Sequence, residues 1–315
     1  MRGYGSCKPV LVIARPALLA ASRNGLLKRF MAAKGLKLGA RRFVAGETVD
    51  DFVAIVRELN RSGFLVASAI LGEEVTNERE TRSVTAEYKN LLSRIASEGL
   101  GANVALKLTH LGLGISEKLA CDNLADIVTH AAALKNSIRI DMEDSACVDA
   151  TLRIYRAIRA AGYENVGAVL QAYLYRTPDD LAGLADCKPN LRLVKGAYLE
   201  PPSVAYPKKP DVDAAFKRLI ELALEGGGYT AIATHDEDAI RHATSFIEAH
   251  AIPKDRFEFQ MLYGVRPALQ RQVRDRGYRV RIAAPFGREW YPYFMRRLAE
   301  RPANVAFVLR SFLKG

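Results

Sequence analysis

The chain has 315 residues, 49% hydrophobic and 26% charged, a composition that excludes a disordered polypeptide and suffices for one large α/β core. No run reaches the roughly 18 uncharged apolar residues of a membrane-spanning helix. The four cysteines (Cys7, Cys121, Cys147, Cys187) form no CxxC pair, which argues against a zinc site and a disulfide framework and points to a reducing cytoplasm.

The formal charge of +11 is spread from end to end. With no nucleic-acid-binding motif present, we expect no nucleic-acid partner and read a solvated basic surface able to favour an anionic ligand. Residues 1–62 are expected to form N-terminal helices, with an amphipathic helix over 16–34. A signal peptide at 8–21 is disfavoured, because Arg15 interrupts its apolar stretch.

From residue 63 onward, short β-branched runs bounded by turn signals alternate with helical patterns. Strands are expected at 63–70, 103–108, 137–142, 166–171, 191–196, 229–234, 256–261 and 278–284. Helices are expected at 75–98, 116–134, 150–161, 213–224, 237–250 and 267–276, and a last one from near Arg288 through 291–300. Eight βα units in series imply a closed parallel (βα)8 barrel, as one domain over 1–315. The competing open, doubly wound sheet needs a glycine-rich turn after its first strand. Here that strand ends Ile70-Leu71-Gly72-Glu73-Glu74, and no such turn exists. The loop 198–213 carries four prolines and reads as a lid or cofactor cover.

A barrel keeps its active site at the C-terminal ends of its strands, and here those ends are polar. Alternation places Arg139, Asp141 and Glu143 on one face, and Arg192, Val194 and Gly196 on one face. A charge inside a barrel is costly unless paired, and Lys107 on the neighbouring strand is the simplest partner for Asp141. His235 divides evenly between a core hydrogen bond and a ligand contact. No metal is expected, since none of the five histidines stands at HxH or HExxH spacing. Serine catalysis lacks its GxSxG elbow. On the last helix, Tyr293, Arg296, Arg297 and Glu300 share or flank one face, and paired guanidinium groups suit a substrate carboxylate.

These strings resemble the monofunctional bacterial proline dehydrogenases. The likeness rests on Phe43-Val44-Ala45-Gly46-Glu47, Asp141-Met142-Glu143-Asp144-Ser145, Leu170-Gln171-Ala172-Tyr173, Arg192-Leu193-Val194-Lys195-Gly196-Ala197-Tyr198, Ala233-Thr234-His235-Asp236, Phe259-Gln260-Met261-Leu262-Tyr263-Gly264 and Tyr291-Pro292-Tyr293-Phe294-Met295-Arg296-Arg297, in order along the chain. The resemblance implies a distorted barrel with a C-terminal helix over the catalytic face. It also implies non-covalent FAD, oxidation of the carbon next to an amino-acid nitrogen, and a quinone as electron acceptor, with at most peripheral contact to the inner face of a membrane.

Carried over by position, Lys107, Asp141 and Arg192 are the candidate catalytic residues. Gln171, Arg192, Val194, Lys195, Gly196, Tyr198, Thr234, His235, Gln260 and Met261 would hold the cofactor. Lys107, Ala283, Tyr293, Arg296, Arg297 and Glu300 would surround the substrate. Two positions depart from the family pattern. Ala69 stands where an aspartate is usual, and Ala283 where a tyrosine is usual. A pocket enlarged in this way points to an amino acid bulkier than proline or substituted at nitrogen, with Ser68 as a candidate partner for a polar substituent. Conventional L-proline oxidation, with Phe286 or Tyr293 filling the gap, is the alternative. A non-catalytic flavin- or amino-acid-binding barrel is the second.

Overall fold

The computed structural model describes residues 40–72 and 75–300, apart from the side chains of residues 40, 296 and 298–300. The proposed helix at 16–34 lies outside the described residues. A helix, α1 (Val49–Arg61), precedes the first strand. It starts at a capping box in which Thr48 Oγ1 accepts from the Asp51 amide and the Asp51 carboxylate accepts from the Thr48 amide. These bonds satisfy amide groups that a helix start leaves orphaned.

Eight parallel strands then close in chain order. They are β1 (Leu65–Ile70), β2 (Ala102–Leu106), β3 (Ile138–Ile140), β4 (Val166–Gln171), β5 (Asn190–Val194), β6 (Tyr229–Ala233), β7 (Phe257–Leu262) and β8 (Val280–Phe286). The connecting helices are α2 (Glu78–Ser97), α3 (Glu117–Ala133), α4 (Val148–Ala160), α5 (Thr177–Ala182), α6 (Lys209–Glu225), α7 (Glu237–Ala249) and α8 (Pro267–Asp275), and α9 (Trp290–Glu300) follows β8. The expected (βα)8 barrel is therefore the fold. Expected and observed strand bounds differ by a few residues at most. Only α5 has no counterpart in the sequence reading, because six residues are too few to show a helical period.

Cα partners in a parallel pair project to the same face, so the register identifies the barrel interior. Ala69, Ala105, Arg139 and Gly167 stand side by side. Val169, Arg192, Ala231 and Glu258 form a second row. Ala233, Gln260 and Arg281 form a third, and Leu262, Ala283 and Ala67 a fourth. Barrel interiors are commonly filled by branched aliphatic side chains. This interior combines small residues with hydrogen-bonded charges. The apolar mass lies outside it, between sheet and helices, where Val66, Ile70, Phe259, Met261, Ile282 and Phe286 join one continuous core. Phe52 of α1 stacks on Phe286 with ring centroids 4.6 Å apart.

The last helix is fastened by a separate cluster. Phe43, Val44, Trp290, Tyr291, Phe294 and Met295 pack together, and Trp290 Nε1 donates to Glu47 at 2.8 Å. Amide-to-carbonyl bonds from Ala45 to Pro285 and from Gly287 to Gly46 tie this unit to the top of β8. Among the described residues no helix is long and apolar enough to cross a membrane.

Candidate active site

The interior charges form one connected path. Arg192 Nη1 donates to Asp141 Oδ1 at 2.5 Å, and Arg192 Nε donates to Gln260 Oε1 at 2.6 Å. Gln260 Nε2 donates to Glu258 Oε1 at 2.6 Å, where Arg281 Nε also donates at 2.7 Å. Arg281 Nη1 continues to the Val66 carbonyl at 3.1 Å and to Asn103 Oδ1 at 3.3 Å. Burial would raise the Glu258 carboxyl, but the charge and hydrogen bond of Arg281 outweigh it and hold the group below its ordinary value. Arg139 lies beneath this path, giving its guanidinium to Asn190 and to the Ala168 carbonyl. Burial first, and repulsion from Arg192 second, pull Arg139 down to about 10, still well above neutral pH.

The Asp141–Arg192 pair joins strands that are not neighbours, a partnership that strand adjacency did not suggest when Lys107 was the expected cation. Lys107 is close enough for its charge to act on Glu143. Glu143 accepts from the Thr109 amide at 3.1 Å and the Thr109 hydroxyl at 2.6 Å. Its carboxyl is raised, burial exceeding the opposing effect of those bonds and of Lys107.

At the rim, the side chain of Gln171 spends only its amide nitrogen, donating to the Glu143 carbonyl at 3.2 Å. Its Oε1 is buried without a hydrogen-bond partner, a costly state unless a ligand donor completes it. Val194 stands beside it in register. At Gly196 the backbone has φ +116°, and a Cβ there would overlap the Tyr173 ring, so only glycine permits this close approach. Lys195 is held between Asp213 and Asp236, at 2.6 Å from each. Burial lowers its pKa, but those two hydrogen bonds prevail and raise it.

His235 Nε2 accepts from the Leu262 amide at 2.9 Å, which fixes its ring at the rim. The Thr234 hydroxyl accepts from the Asp236 amide at 3.1 Å. The Met261 side chain turns outward into the main core, so only its backbone borders the interior. Tyr198 is exposed at the start of the loop after β5.

That loop is not a free flap. Glu200 accepts from the Ser145 amide at 2.7 Å and the Ser145 hydroxyl at 2.6 Å. An isolated antiparallel bridge pairs Leu174 with Ala205, and the Tyr206 amide donates to the Tyr173 carbonyl at 2.8 Å. The expected lid is thus a strap fixed to the ends of β3 and β4.

Where β8 meets β1 and β7, Ala283 is in register with Ala67 and Leu262, and Ala69 with Pro285. Both alanines remain partly solvent-accessible inside the barrel. Phe286 faces outward onto Phe52 and does not fill their space. Ser68 also faces outward: it is fully buried, and its hydroxyl donates to the Asn103 carbonyl at 2.9 Å. Ser68 is therefore not the pocket residue that the sequence suggested. Tyr293 is half-buried on α9, and the Arg297 guanidinium lies 5.2 Å from its ring centroid. The side chains of Arg296 and Glu300 lie outside the described part of the chain. Glu258 and Arg281 escaped the sequence reading, although the period-two spacing of Glu258, Gln260 and Leu262 was available to reveal a shared face.

The proline dehydrogenase family profile matches residues 52–310. The chain belongs to the proline dehydrogenase family. It is 47% identical over 300 residues to proline dehydrogenase 1 of Bacillus subtilis subsp. natto, covering 95% of this chain and 99% of that one. Identity to the proline dehydrogenase of Deinococcus radiodurans is 42% over 305 residues, covering 96% and 98%. Among solved structures, proline utilization A from Bdellovibrio bacteriovorus superposes with a TM-score of 0.80 at 23% identity. The match spans 92% of this chain and 37% of that much longer one, and it attests the barrel fold.

Proposed function

We propose that this chain is an FAD-dependent dehydrogenase. It removes a hydride from the carbon next to nitrogen in proline or, preferentially, in a bulkier proline-like or N-substituted amino acid. The single observation that carries the cofactor assignment is Gln171, whose buried Oε1 lacks a donor beside the close-approach glycine Gly196. A flavin ring edge offers an N–H donor of the right kind, and family membership favours a flavin there. When bound, FAD supplies the two-electron acceptor.

The residues of the chain do the remainder. Arg192, fixed by Asp141 and Gln260, would supply a positive charge to stabilise the electrons that a bound flavin takes up on reduction. Lys107, Arg296 and Arg297 disfavour an ammonium and so favour the neutral amine that must lose hydride. Arg296 and Arg297 would hold the substrate carboxylate, with Glu300 to orient them and Tyr293 beside the substrate. Val194, Gly196, Tyr198, Thr234, His235 and the backbone at Met261 would line the cofactor, and Lys195 would meet its polar edge. A quinone would reoxidise the flavin, in a cytoplasmic protein with at most peripheral membrane contact.

Small side chains at Ala69 and Ala283, both partly solvent-accessible, favour a larger substrate. The purified protein should be yellow and release free FAD on acid precipitation. Steady-state kcat/KM should be higher for 4-hydroxyproline or for an N-methyl or N-amino analogue than for L-proline, and Ala283→Tyr should reverse the order. If L-proline leads by a wide margin and Ala283→Tyr does not improve it, the enzyme is a conventional L-proline dehydrogenase.

A further inference from the structure

We infer that Glu258 is a positioning residue of the redox site: acting through the side-chain amide of Gln260, it sets the orientation of Arg192. The inference rests on the flavin reading above. An amide side chain has one accepting end and one donating end. Glu258 Oε1 takes the donating end of Gln260 at 2.6 Å, leaving the carbonyl oxygen for Arg192 Nε at 2.6 Å.

A reversed amide would set oxygen against carboxylate and N–H against guanidinium, both repulsive. Glu258 is itself fixed by Arg281, which is anchored on β1 and β2. Glu258 is 1% exposed, and a buried charge is weak evidence for a stabilising role, since apolar replacements often serve as well. What a carboxylate supplies here, and a glutamine does not, is a partner that accepts only.

The test measures the midpoint potential of FAD bound to the full chain. Reduction adds negative charge to the flavin, and a well-aimed Arg192 favours it. Glu258→Gln removes a negative charge, so its Coulomb effect alone would raise the potential. Loss of Arg192 alignment should instead lower it by about 30 mV, a tenfold shift at 29.6 mV per decade for two electrons.

Glu258→Asp keeps the charge, withdraws the carboxylate by one methylene, and should lower the potential in the same way. It carries the test if Glu258→Gln does not fold by circular dichroism. In a Gln260→Met background, Glu258→Gln should cause no further fall. An unchanged or raised potential in the variants, or an equal further fall without Gln260, overturns the inference while leaving the flavin enzyme standing. A wild-type chain that takes up no FAD overturns the functional reading, and this inference with it.

Discussion

Asp141 shows how much a single carboxylate does in a barrel interior. Its partner Arg192 is largely buried, with a side chain 11% exposed, while Asp141 is 28% exposed. Removing one member of a fully buried pair costs about 3–5 kcal/mol, and partial exposure reduces this. Asp141→Ala should therefore cost about 2 kcal/mol in urea unfolding of the apo-protein, and a loss below the detection limit would show that Arg192 finds another partner. On α9, Arg297→Met should weaken substrate capture by about 1.5–3 kcal/mol, the worth of a charged hydrogen bond, at normal FAD content. Unchanged kcat/KM on the best substrate would remove Arg297 from the clamp.

At this scale the sequence was partly legible. Alternation correctly put Arg139 with Asp141 and Arg192 with Val194. It could not tell that Arg192 reaches across to Asp141, since side-chain length and barrel curvature decide such contacts. The outward turn of Ser68 and Met261 follows from strand parity, which becomes certain only when register is known.

Elements were more legible than residues. Strand positions follow from β-branched runs and turn signals, and helices from the segments between them; in the structure Thr48, Asn77, Ser116 and Asp236 each cap a helix through the side chain. Helix ends are less visible when glycine is missing. After α7, the Ala251 amide donates to Glu248 and the Ile252 amide to Ile247, the bond pair of a Schellman turn. Ala251 takes φ 48° there, a conformation that strains any Cβ. Ala251→Gly should raise stability by about 0.5–1 kcal/mol after the entropy cost of glycine, read as a higher melting temperature; a lower one would contradict the strain argument. The strap after β5 was visible as a proline-rich loop, but its pinning by Glu200 was not, because no local pattern announces a carboxylate that binds 55 residues away.

For the whole molecule, closure of the barrel brings Lys195 after β5, Asp213 in α6 and Asp236 before α7 into one ion cluster. The Asp236 carboxyl is lowered chiefly by its hydrogen bond to Lys195. For Asp213, burial acts upward, but its bonds to Lys195 and Lys209 outweigh it. A depressed carboxylate stabilises the fold above its unfolded pKa of about 3.9, and that stability is lost as pH falls through the folded value. The raised Lys195 stabilises below its unfolded pKa of about 10.4 and loses this as pH climbs through the folded value. Thermal unfolding of the apo-protein should thus show Lys195→Met less stable than wild type at about pH 7, with the gap closing towards about pH 3. A gap that stays constant with pH would mean packing, not charge, is lost.

The fold and the family of this chain were legible from sequence, whereas the substrate proposed for it rests on the alanines at 69 and 283. The most direct test of a flavin dehydrogenase with an enlarged pocket is anaerobic titration of the purified yellow protein, following flavin absorbance near its visible maximum. The predicted result is bleaching by proline and fuller or faster bleaching by a bulkier or N-substituted analogue. A protein that binds no flavin, or whose flavin no amino acid bleaches, would contradict it.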